Sequence, residues 1–143
     1  GLQDIVSLPG KSARHGECIR TSDILVLSSR FEGFPNVVAE AVVSGLPVVA
    51  FDCAYGPREL VFDGVNGLLV QDGNVGALAD AIGRLMSNPT LRAAMADANV
   101  RLQQKLAPET ILALWDRTIS DAARKEAFKR GKPAGEGYSH ANA

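Results

Sequence analysis

Two short, wholly apolar runs, ILVL at residues 24–27 and VVAF at 48–51, flank a segment that begins with proline and ends before glycine, PNVVAEAVVSG. That arrangement limits the folds open to the chain more than any other feature. Apolar runs of this length without polar alternation belong to strands covered on both faces, the signature of a parallel sheet. Proline near the start and Gly45 past the end of residues 35–44 predict a helix between the two strands. Further along, 57–62 predicts a helical turn, and the Asp63-Gly64 and Asn66-Gly67 turns precede another apolar run at 68–70. A fourth strand is expected at 5–8, closed by Pro9-Gly10, with a loop and a short helix over 11–22. Strand alternating with helix predicts parallel βαβ units and an α/β fold.

After Gly73 the pattern changes. Residues 75–86, 89–104 and 108–128 carry apolar side chains at helical spacing with no strand between them, so C-terminal helices should follow the sheet. From residue 129 the chain turns to Gly, Lys, Ser and Ala, and a disordered tail is expected over 129–143. At 143 residues and 46% apolar content, the chain is sized for one domain, expected over 1–128.

Composition excludes several classes of function. A net charge of −1 lacks the basic field that grips nucleic acid. The two cysteines, Cys18 and Cys53, form no CxxC, and the histidines His15 and His140 lie near opposite ends, so neither a zinc cage nor a disulfide scaffold is supported. No apolar run approaches a transmembrane span and no signal-peptide pattern opens the chain, which points to the cytoplasm. Arg124, Lys125, Lys129, Arg130 and Lys132 form a basic run that could rest on the anionic face of a membrane or stand solvated at a helix end.

Chemistry concentrates in SSRFEGFPNVVAE, residues 28–40, where a strand gives way to a helix. Ligands bind at such strand ends in open parallel sheets. Proline at 35 leaves the amides of Asn36 and Val37 free at the positive end of the helix dipole, an anion site, and Gly33 allows close approach of the backbone. Neither GxGxxG nor GxxxxGK[ST] occurs, so a dinucleotide fold or P-loop is not indicated. Glu40 falls in the second turn of a helix otherwise built of Val and Ala, a face expected to meet the core, where a carboxylate needs donors such as ribose hydroxyls. Glu32 precedes it by eight residues. Spacing alone leaves Glu32 as a favourable neighbour of the helix N-terminus and Glu40 as a solvated side chain.

The whole segment SDILVLSSRFEGFPNVVAEAVVSGLPVVA, residues 22–50, resembles the retaining glycosyltransferases of family 4, whose hallmark is Glu-x7-Glu in a context of E-G-F-P-N-x-x-x-E-A. The similarity runs from about residue 2 to 115 and includes IVSLPG, FDCAYGPREL and NGLLV; the FDCAYGPREL segment is most similar to bacterial exopolysaccharide and lipopolysaccharide enzymes of the amylovoran-galactosyltransferase type. The resemblance implies the back half of the C-terminal, nucleotide-sugar-binding domain of a two-domain GT-B fold, a truncated Rossmann-like doubly wound sheet. It places Glu40 on the donor ribose and Glu32 beside the anomeric centre, with Gly33, Phe34, Pro35, Asn36 and Val37 facing sugar and pyrophosphate. Leu8, at the end of the first strand, and Lys11 would border the nucleobase.

The implied activity is an EC 2.4 hexosyl transfer from a nucleotide-sugar to a glycan or lipid-linked acceptor in surface polysaccharide synthesis. Glu32 is implied in positioning and electrostatics. With no Asp-x-Asp in the chain, no metal and no other cofactor are expected. The resemblance further implies that the pyrophosphate-clamping Arg and Lys and the N-terminal acceptor domain lie outside this chain, that the strands at 5–8 and 24–27 stand apart with a gap between them, and that the chain alone is inactive and self-associates. A catalytically silent sugar-nucleotide-binding or interaction module is the alternative; a phosphorylase would bring a pyridoxal phosphate lysine, for which no cue exists. Arg58 and Glu59 either orient near the donor or stand as a solvated side chain and a cap, Cys53 is expected buried, His15 in a loop, and Trp115 as a packing anchor.

Overall fold

The structure, a computed structural model, describes residues 2–8, 10 and 16–129. The elements run α1 (Glu17–Arg20), β1 (Leu25–Leu27), α2 (Asn36–Val43), β2 (Val48–Asp52), α3 (Pro57–Leu60), β3 (Gly67–Gln71), α4 (Val75–Met86), α5 (Pro89–Leu106) and α6 (Pro108–Lys129). The chain divides into two compact units, Gly1–Gln103 and Gln104–Ala143.

The first unit is built on β2. Its two neighbours are both parallel, giving the order β1-β2-β3, with Leu25 opposite Val48 and Val49 opposite Leu68. Val48, Val49, Ala50 and Phe51 are all buried. Period-two alternation sends Val49 and Phe51 to one face, where they join Leu68, Leu78, Ala81, Leu85 of α4 and Met95 of α5 in a single cluster. Val48 and Ala50 take the opposite face, and α2 packs with β1 and β2 through its buried Val38, Ala41 and Val42. Helices therefore cover the sheet on both sides, as a run of β-branched residues without polar alternation requires. The α/β class and the parallel order expected from sequence are both present.

Asn74 starts α4 by accepting a hydrogen bond from the Ala77 amide at 3.0 Å, and the Asn88 side chain does the same for the Leu91 amide at 2.9 Å. Arg92 donates to the Leu85 carbonyl at 2.6 Å and to that of Met86 at 3.0 Å, closing the end of α4.

Residues 5–8 do not form the expected strand. The amides of Ile5 and Val6 donate back to the Leu2 carbonyl at 3.0 and 2.8 Å, which makes a turn. Ile5 is 81% exposed and Leu8 91% exposed. A strand is held by its ladder, and β1 pairs on one side only, with β2; among the described residues no edge receives 5–8. The gap expected between a strand at 5–8 and one at 24–27 consequently has no counterpart, because the described sheet is three continuous strands. Lys129, expected to open the tail, is the last residue of α6, while Lys11, His15 and residues 130–143 of the expected tail lie outside the described residues.

In the second unit α6 leaves Ile111, Leu112, Leu114, Trp115 and Ile119 exposed, Trp115 by 61%. The expected packing anchor is thus uncovered, since the described part of this unit offers a helix end and one long helix, with no facing sheet to bury an indole. No helix is long and apolar enough to cross a membrane among the described residues.

At the end of the sheet where the strands begin, two buried amides join distant segments. Asn66 Nδ2 donates to the Leu60 carbonyl and to Asn99 Oδ1, both at 2.9 Å, while Asn66 Oδ1 accepts from the Phe62 amide at 2.6 Å. Asn99 Nδ2 in turn donates to the Leu46 carbonyl at 3.1 Å. Every polar atom of this group has a partner. Asn99→Ala should therefore lower stability by about 2–3 kcal/mol, because truncation strands buried partners of Asn66 and Leu46. Gln103→Ala, removing an exposed bond to the Val43 carbonyl, should cost less than about 1 kcal/mol. Thermal unfolding of the two variants checks the order.

Candidate functional site

All three strands point their C-terminal ends the same way, and each ends in a polar loop. After β1 come residues 28–35, after β2 residues 53–56, and after β3 the Asp72-Gly73 turn. Parallel strands deliver their connections to one edge, so these loops form one rim.

The first loop leads into α2. Pro35 takes φ −80° and ψ 88°, outside the helical region, so it is the residue before the helix and not its first residue as expected. Its carbonyl accepts from the amides of Val38 and Ala39 at 2.9 and 3.2 Å. Among the described residues the amides of Asn36 and Val37 have no backbone acceptor, and they face outward with the positive end of the helix. Pro35 is buried and pins the loop, whereas Gly33, Phe34, Asn36 and Val37 are exposed.

Glu32 sits half-buried on this loop, between the exposed rings of Phe31 and Phe34. Glu40 is exposed, which corrects the expectation of a core-facing carboxylate. The helical period explains it: Val38, Ala41 and Val42 fill the sheet-facing side, and Asn36, Glu40 and Val43 share the outer one. Glu40 lines a recess of about 320 Å³ with Gly16, Ile19, Arg20, Val43 and Ser44. Among the described residues neither glutamate's carboxylate has a hydrogen-bond or ion-pair partner. Leu8 stands exposed in a stretch without regular structure and is not held at a strand end, since the strand that was to carry it is absent. Lys11 lies outside the described residues.

Features that sequence reasoning missed come from the second loop. Gly56 is buried with φ 97° and ψ −74°, and a Cβ there would lie 2.7 Å from the Gly33 carbonyl oxygen and 3.1 Å from Glu32 Cβ. Asp52 accepts from Arg58 Nε at 2.8 Å and, through its second oxygen, from Nη2, a two-pronged pair. This hydrogen bond and then the carboxylate's charge hold the Arg58 guanidinium above its usual pKa, so it is a permanent cation. Cys53 is buried as expected, and its Sγ donates to the Tyr55 carbonyl at 3.3 Å. A glycine directly before a proline that opens a helical turn was the available signal, but its contact with residues 32–35 spans more than twenty positions and no local pattern encodes it. Arg30 and Asp72 approach to 4.0 Å across the rim, too exposed to matter much for stability. No three His, Cys, Asp or Glu side chains gather as a metal site among the described residues.

Known proteins share this sequence and fold. Residues 1–88 match the family model described as glycosyl transferases group 1. The chain belongs to the group 1 glycosyl transferases. It is 34% identical over 115 residues to a poly(ribitol-phosphate) alpha-N-acetylglucosaminyltransferase of Staphylococcus aureus, covering 80% of this chain and 23% of that protein. With the amylovoran biosynthesis glycosyltransferase AmsD of Erwinia amylovora it shares 30% identity over 119 residues, 83% of this chain and 33% of the relative. A crystal structure of a variant of Staphylococcus aureus TarM in complex with fondaparinux, alpha-GlcNAc-glycerol and UDP superimposes with a TM-score of 0.74 at 33% identity, over 81% of this chain and 24% of that one. This glycosyl transferase chain thus spans between about a quarter and a third of the length of these relatives, and its α/β unit matches part of the C-terminal domain of their GT-B fold.

One consequence concerns Gly33. A Cβ there meets nothing within 4 Å and its φ is not left-handed, so the protein itself does not require glycine at that position. Gly33→Ala should leave thermal stability within about 0.5 kcal/mol of the parent.

Proposed function

We propose that the chain is the donor-binding part of a retaining glycosyltransferase of family 4, which moves a sugar from a nucleotide-sugar to a glycan or lipid-linked acceptor in bacterial surface polysaccharide synthesis. On this reading residues 1–128 are part of the nucleotide-sugar-binding domain, working on the cytoplasmic side of the membrane. The observation that carries it is the E-G-F-P-N loop at the C-terminal end of β1, whose unpaired amides open α2.

A diphosphate is recognised by such amides and by the helix dipole together. The open space beside Gly33 leaves room for it. Glu40, one turn further along the outer face, offers two carboxylate oxygens to a pair of ribose hydroxyls, an arrangement stronger than neutral hydrogen bonds. Glu32, held on the loop against the Gly56 turn, lies toward the sugar end and acts on the developing positive charge at the anomeric carbon through its negative charge. The diphosphate leaves as the acceptor oxygen attacks, and no metal or other cofactor is invoked for this step. The UDP bound by the structurally similar TarM variant supports a nucleotide-diphosphate donor.

A titration of the chain with UDP, followed by backbone amide shifts, tests the proposal. Asn36, Val37 and Gly33 should move, with a dissociation constant in the millimolar range, roughly −4 kcal/mol; silence at these amides overturns it. Glu40→Gln in the complete enzyme should weaken donor binding by roughly 1–3 kcal/mol. Gly33→Ala should weaken it as well while stability holds. The chain by itself should transfer no sugar to an acceptor, since proximity and orientation of two substrates supply much of the rate; turnover measured with purified chain would reverse that assignment.

A further inference from the structure

The Glu32 loop rests on the turn after β2 by direct backbone approach. Gly56 is buried, its φ of 97° and ψ of −74° lie where side chains are rarely tolerated, and the space a Cβ would need is taken by the Gly33 carbonyl at 2.7 Å, Pro35 Cδ at 3.0 Å and Glu32 Cβ at 3.1 Å. The position of the turn therefore dictates the position of the loop. The turn in turn is fastened across its ends. Asp52, the last residue of β2, is joined by both prongs of its carboxylate to Arg58 in the first turn of α3. Inside this clasp Cys53 Sγ donates to the Tyr55 carbonyl, and the Glu59 amide donates to the Gly56 carbonyl at 3.0 Å.

We propose that Gly56 and the Asp52–Arg58 pair are positioning residues, which hold the 53–56 turn as the bed of the Glu32 loop and so set where Glu32 and the amides of Asn36 and Val37 meet a nucleoside diphosphate. The inference deepens the donor-binding reading and rests on it for the ligand. A planar guanidinium fork fixes both distance and angle between strand end and helical turn, which a lysine at 58 would not. The pair is partly exposed, the side chains being 59% and 30% accessible, so its weight in overall stability is small and its effect is on local geometry.

The experiment uses the full chain, and its first arm needs no ligand. In Arg58→Ala and in Asp52→Ala, the amide resonances of Gly33, Phe34 and Asn36 should shift and broaden, while those of residues 48–51 stay in place and the unfolding midpoint falls by less than about 5 °C. Gly56→Ala should displace the same amides; because that variant risks misfolding, the exposed Arg58→Ala decides. The second arm measures UDP binding. Each single variant should bind roughly three- to tenfold more weakly, and the double variant no more weakly than either, as for two residues acting through one turn. Loop amides unmoved in both single variants overturn the proposal. So does a loss of UDP affinity in Arg58→Ala that Asp52→Ala does not share, since Arg58 would then be a direct ligand contact. If the parent chain binds no UDP, the donor-binding reading falls, and the ligand-free arm still decides whether the clasp sets the loop.

Discussion

Everything in the first unit depends on burying β2. Its four leading side chains, Val48 to Phe51, offer no polar face to water, so the strand needs a neighbour on each edge and a helix layer on each side. Meeting that need recruits β1, β3, α2, α4 and α5 in one step. It also settles where chemistry can occur. Parallel neighbours bring every strand-to-helix connection to the same edge, and two of those connections, the E-G-F-P-N loop and the 53–56 turn, are then forced into contact.

The two ends of the sheet are built by different means. Where the strands begin, Asn66 and Asn99 form a buried, fully paired amide network that ties β3's approach, α5 and the segment before β2 together. Such a network is rigid because any displacement leaves a polar group unpaired in the interior. Where the strands end, groups are left without partners or exposed: two helix amides, the half-buried Glu32 and exposed Glu40 carboxylates, and the rings of Phe31 and Phe34. The contrast is what a binding rim requires, a stiff support beneath groups whose bonding capacity is still available. Gly56, buried Pro35 and the Asp52–Arg58 pair restrain that rim from the protein side.

Membership of the group 1 glycosyl transferases fits this division. The family match covers residues 1–88, which include the rim and the three strands beneath it, and two relatives share about one-third identity over about four-fifths of the chain.

Local patterns in the sequence determined a good deal. Unbroken apolar runs identified β1, β2 and β3, proline and glycine bracketed α2 to within a residue, and α4 was legible end to end, because strand burial and helix periodicity are encoded by neighbours in the chain. The E-G-F-P-N-x-x-x-E segment and its place between a strand and a helix were legible for the same reason. The run at 5–8 looked like a strand but leaves a turn at Ile5 and continues without regular structure, since its sequence carries the side chains of a strand but not the partner whose hydrogen bonds make one. Glu40 looked buried among Val and Ala, yet the sheet selects only one side of α2, and that choice turns Glu40 outward. Trp115 looked like a core anchor and is exposed, because burial depends on what faces a helix and not on the helix. The approach of Gly56 to the Glu32 loop had no sequence signature at all: it joins residues more than twenty positions apart, and only the parallel register of β1 on β2 brings their ends to one place.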